Sequence, residues 1–126
     1  MTNVLALIQS ETVQMDSTVL DDLILGLRGR SAEDVLCRAI EDMGLRLSRI
    51  EPVWRSGNWT MLRKNARALG AIAGQAGMKD LVLVAGNVVD TIDAGDLPAV
   101  GATVFRLLRV GEKSLTAMCE VQDIRV

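Results

Sequence analysis

The side chains best placed to do chemistry in this sequence are cations. Arg63, Lys64 and Arg67 stand at i, i+1 and i+4, so one helical turn would gather all three charges. The turn that follows carries Gly70, Ala71 and Gly74, all small. On a helix this makes a stripe that is basic over one turn and nearly bare over the next, where a second surface can approach the backbone closely. Two plainer readings stand beside that one: a solvated charged stripe, or glycines packed against a neighbouring helix. A guanidinium stays protonated and is not nucleophilic, so Arg67 can bind an anion but cannot carry a transferred group.

Other constellations carry less. Gly70, Gly74 and Gly77 suggest a phosphate loop, yet there is no G-x-G-x-x-G and no G-K-[ST] follows them. Asp90, Asp93 and Asp96 are spaced by three but lack the alternating oxygen ligands of a calcium loop, and read as capping and solubilising residues. Cys37 and Cys119 lie 82 positions apart, match no metal spacing, and read as small buried residues of a reducing compartment. Ser31, Ser56 and Ser114 have no imidazole to activate them, because the chain of 126 residues contains no histidine. That absence also excludes Ser-His-Asp and Cys-His sites, histidine-ligated metals and phosphohistidine. The residues thus point to no enzyme, no metal and no cofactor.

Charge and size narrow the class further. The net charge is −2, but residues 44–79 hold seven bases and one acid, net +6, and the remainder holds seven bases and fifteen acids, net −8. A basic middle between acidic flanks suits an acidic protein surface better than a polyanion, which the flanks would repel. Trp54, Trp59 and Phe105 are the only aromatics, too few to stack single-stranded nucleic acid. The apolar run from Val4 to Ile8 is too short for a signal core or a membrane span. The expectation is one cytoplasmic domain that binds neither nucleic acid nor membrane.

The elements that must position the basic stripe read as helices. Prolines occur only at 52 and 98, and turn signals are sparse. Residues 1–15 are ambiguous between strand and helical turn. Asp16 or Ser17 caps a short helix to about Leu27, with Val19, Leu20, Leu23, Ile24 and Leu27 on one face. Ser31 caps a helix over 32–55, whose apolar positions include Val35, Leu36, Met43, Leu47, Ile50 and Trp54. After the turn 56–58, Asn58 caps a helix whose seam is Trp59, Leu62, Ala66, Leu69, Ala73 and Ala76. The next helix spans about 78–94 and buries Leu81, Val84, Ala85, Val88 and Ile92, although its valines leave a strand at 81–89 as an alternative. Gly95 ends it, Asp96 caps the last helix, and Pro98 falls in that helix's first turn. The last helix runs to Val110, with continuation past Gly111 to about Met118, and residues 119–126 are left undecided. The whole reads as an all-α, up-down-up-down four-helix bundle with a short leading helix.

The segment GNWTMLRKNARALGAIAGQAGM (57–78), followed by DTIDAGDLPAV (90–100), resembles the histidine phosphotransfer (HPt) domains of two-component phosphorelays. The likeness covers roughly residues 17–110. Those domains are four-helix bundles in which a helix opening D-W-x-x-L carries A-H-x-L-K-G-x-A-x-x-L-G. Trp59 and Leu62 match the opening, and Ala66, Leu69, Ala73 and Gly77 match the apolar and small positions. The triplet at 94–96 resembles the turn before the family's last helix.

The departure falls at the chemistry. The alignment puts Arg67 where the family has its phosphoaccepting histidine, Gly70 where its lysine is usual, and Ala71 where its glycine is usual. The resemblance therefore implies a phosphotransfer-like protein without phosphotransfer. Its expected partner is the receiver domain of a response regulator or hybrid kinase, met through Arg63, Lys64, Arg67, Gly70, Ala71 and Gly74. The alternative is a structural module that self-associates as a homo-oligomer, the basic helix pair of one copy meeting the acidic flanks of another.

Overall fold

The computed structural model describes residues 30–125, with side-chain environments over 34–120. The expected leading helix at 16–27, the stretch 1–15 and the terminal residue 126 lie outside the described residues. Four helices follow in order: α1 (Arg30–Arg55), α2 (Trp59–Gln75), α3 (Lys79–Asp93) and α4 (Leu97–Arg125). No strand occurs among the described residues, and the valine-rich 81–89 stretch is helical within α3. Each helix packs against the next, and α4 closes on α1, giving an up-down-up-down four-helix bundle.

Local chemistry explains where the helices begin and end. Asn58 caps α2, its side-chain oxygen accepting from the Met61 N–H at 3.1 Å. Asp96 does the same for α4, accepting from the Ala99 N–H at 3.2 Å. Gly77 and Gly95 end α2 and α3 at φ of +75° and +70°, a left-handed conformation that costs glycine little. Behind each, the next N–H reaches back to a carbonyl five residues earlier, Met78 to Ala73 at 2.9 Å and Asp96 to Thr91 at 3.3 Å. Ser31 lies inside α1, which already begins at Arg30.

The helical seams meet in the core. Leu62, Ala66, Leu69 and Ala73 of α2 are fully buried against Leu81, Val84, Ala85 and Val88 of α3, Met43, Leu47 and Ile50 of α1, and Val100, Val104 and Leu107 of α4. Trp54 and Trp59 are half-buried near one end, and Trp54 packs edge-to-face on Phe105 with ring centres 5.1 Å apart. Three expectations need correction. Val35 is exposed, because Leu36 and Met43 set the buried line of α1 and Val35 lies off it. Cys37 is half-buried rather than buried, and Cys119 is exposed. Met118 takes the core position of that turn, leaving Cys119 about 100° round the helix. The last helix, α4, continues past Gly111 as the sequence allowed, and the undecided stretch 119–125 is helical to Arg125.

Helix lengths are unequal. At 1.5 Å per residue, the 26 residues of α1 and 29 of α4 span roughly 39 and 43 Å. The 17 and 15 residues of α2 and α3 span only about 25 and 22 Å. Leu47 lies against Gly111 and Leu115 near Gly44, so α1 and α4 are in register and project together past the α2–α3 turn.

Candidate functional site

Helix α2 carries the basic stripe, and its buried seam fixes which way that stripe points. With Leu62, Ala66, Leu69 and Ala73 turned to the core, Lys64, Arg67 and Ala71 fall on the opposite side and are exposed. Arg67 sits mid-helix on this face. Lys64 and Arg67 make no ion pair with a described residue.

Arg63 is used differently. It turns towards α3 and grips Asp93 in a bidentate pair, Nε to Oδ1 at 2.8 Å and Nη2 to Oδ2 at 3.1 Å. The Arg63 hydrogen bonds hold the Asp93 carboxyl below its ordinary value. Burial opposes this, and the charges of Arg63 and Arg67 assist it to a lesser degree. The same bonds, with the Asp93 charge behind them, raise Arg63. Asp93 is thus more than a solubilising residue, since it ties α3 to α2 and neutralises one of the three cations. Of its neighbours in the triplet, Asp96 is a cap and Asp90 is exposed.

The small residues also divide. A Cβ on Gly70 would lie 3.5 Å from the Cβ of Ala85, and one on Gly74 would lie 3.7 Å from Cγ2 of Val82. Both glycines therefore border α3, and Gly70 is half-buried there; Gly74 and Ala71 are exposed. The close approach at Gly70 is taken up by the bundle itself. What the described residues leave open is Lys64, Arg67, Ala71 and the outer side of Gly74, beside the half-exposed Val82. Sequence reasoning missed Val82 and the Asp93 partner, which come from 8 to 30 positions away. The one available signal was Asp93 itself, an acid in the last turn of α3 where the helix dipole disfavours it.

No family model, no curated protein and no solved structure matches this chain. The site must be read from its own geometry. It offers two exposed cations on one helix face, with small residues beside them, and no nucleophile among the residues that form it. No described helix is long and apolar enough to cross a membrane.

Proposed function

We propose that this bundle is a non-catalytic, histidine phosphotransfer-like signalling protein of the cytoplasm. It binds the receiver domain of a response regulator or hybrid kinase without accepting a phosphoryl group. The observation that carries the reading is Arg67, exposed mid-helix on α2 of a four-helix bundle, at the position that aligns with the family's acceptor histidine. A receiver's acidic pocket, shaped to admit an imidazole from a helix face, accepts a guanidinium as a permanent cation with directed N–H groups. Lys64 adds attraction at longer range, and Ala71 and Gly74 keep the neighbouring surface low. The result is occupation of the receiver in competition with a true phosphotransfer protein.

The test is calorimetric titration of this protein with purified receiver domains from its own organism, using wild type and Arg67→Ala. Binding by wild type that drops at least tenfold in Arg67→Ala supports the reading. Binding to none of them, or equal binding by both forms, overturns it. A second reading, self-association, draws on the half-exposed Phe105 beside Trp54 and on the exposed Leu97 near the start of α4. It predicts an apparent mass that rises with the protein's own concentration before any partner is added.

A further inference from the structure

Helices α2 and α3 run antiparallel, with Gly70 level with Ala85, Gly74 level with Val82, and Arg63 level with Asp93. Those contacts fix the line along which the two helices face each other. At about 100° per residue, Arg63 lies on that line, and Arg67 lies about 40° outside it. On α3, Asp93 lies about 50° outside the line and Asp90 about 110°. Arg67 and Asp93 therefore stand on the same outer surface, about one helical turn apart along the bundle axis. The side chains of the Arg63–Asp93 pair are 38% and 50% exposed, so the pair itself belongs to that surface. The charge of Arg67 is felt at Asp93 and helps to hold its carboxyl below the ordinary value.

An acid in that place works against the docking of an acidic surface, because it repels the partner and offsets the field of Arg67. We infer that Asp93 sets the strength of the docking face, and that Arg63 serves docking by neutralising Asp93 rather than by touching the partner. The inference rests on the docking reading above. With the pair intact, its charges cancel and the face acts through Lys64 and Arg67. Without Asp93, Arg63 is released as a third cation one turn from Arg67. Without Arg63, Asp93 is left there as a bare acid. The pair thus keeps the affinity of the face below what its three cations would give on their own.

Titration calorimetry at low salt, with a receiver domain that binds wild type, tests this on full-length variants whose fold is checked by circular dichroism. Asp93→Asn is expected to bind about two- to fivefold more tightly and Arg63→Ala about two- to fivefold more weakly, the effect of one surface charge a few ångströms from an acidic partner. Adding Asp93→Asn to Arg63→Ala should restore the lost affinity, because the local charge is balanced again. Asp90→Asn, the same change of net charge at a position turned away from α2, should have a smaller effect than Asp93→Asn. An equal gain in Asp90→Asn assigns the effect to net charge and overturns the inference. A double variant as weak as Arg63→Ala also overturns it, by making Arg63 a direct contact. Binding by Asp93→Asn that is unchanged or weaker overturns it too, while the docking reading still stands or falls on Arg67→Ala. If no receiver binds wild type, the docking reading is lost and this inference falls with it.

Discussion

Gly70 and Gly111, both in helix interiors, make a controlled comparison, because the gain from adding a Cβ is the same and only the space differs, and Gly74 adds a case in the last turn of α2. Replacing glycine by alanine within a helix favours the folded state by about 0.5–1 kcal/mol through propensity alone. At Gly70 and Gly74 the new methyl would meet its nearest neighbours at 3.5 and 3.7 Å, ordinary contact distances. Gly70→Ala should therefore stabilise the fold by most of that amount, and Gly74→Ala, in the last turn of α2, by less. At Gly111 the new Cβ would fall 2.7 and 2.8 Å from the two methyls of Leu47 and 3.3 Å from its Cγ. Leu47 is itself buried, so it cannot swing into solvent. Overpacking of this kind costs about 1–3 kcal/mol, which outweighs the propensity gain. Gly111→Ala should thus be neutral to about 2 kcal/mol less stable than wild type, and about 1–3 kcal/mol below Gly70→Ala. For a chain of this size that gap is on the order of 4–12 °C in melting temperature. Thermal and urea unfolding followed by far-ultraviolet circular dichroism reads both. A Gly111→Ala protein more stable than wild type would refute the α1–α4 contact, and a destabilised Gly70→Ala would refute the spacing between α2 and α3.

Arg67→Ala should leave stability within about 0.5 kcal/mol of wild type, as exposed substitutions usually do. Its affinity for a receiver that binds wild type should fall by about 1.5–3 kcal/mol, the worth of a charge-assisted contact, and titration calorimetry with parallel melting separates the two effects. The Arg63–Asp93 pair should make stability pH-dependent at the acid end. Asp93 has a folded value below its unfolded one, so its contribution is complete above the ordinary carboxylate value and is lost as pH falls through the depressed value. Melting curves across that range should show a step in wild type that is absent from Asp93→Asn; identical profiles would dismiss the pair. Ser114 is buried with no partner for its hydroxyl among the described residues, so Ser114→Ala should stabilise the fold by about 1 kcal/mol, and a loss on urea unfolding would reveal a partner. Incubation with a phosphorylated receiver should leave no acid-labile phosphate on this chain, measured with radiolabelled phosphate, because it has no imidazole.

Helix faces were legible because burial repeats with the helical period, and the α2 seam from Leu62 to Ala76 is buried at every expected position after the half-buried Trp59. The turns were legible for the same local reason, since Asn58, Gly77, Gly95 and Asp96 act on their own backbone. That the last helix continues past Gly111 was legible, but the reason for a glycine there was not. Gly111 lies in the middle of α4, and its missing side chain makes room for Leu47. No local pattern contains that information. The same holds at the candidate site. Exposure of Arg67 followed from its angle to Leu69, but the capture of Arg63 by Asp93 joins positions 30 apart and depends on how two helices lie side by side.

The charges on α2 and α3 run against the preferences of their own helices. The first half of α2 carries Arg63 and Lys64, with no acid in its first turn. The last turns of α3 carry Asp90 and Asp93, with no base. Each arrangement sets a charge near the helix end of like sign. Antiparallel packing brings the two unfavourable ends together, and the Arg63–Asp93 pair offsets part of the conflict. Lys64 and Arg67 gain no such partner among the described residues. To the fold, Arg67 adds only the lesser attraction of its charge for Asp93. Cations held in that position are available to an acidic surface outside the bundle, which is the property the docking reading requires.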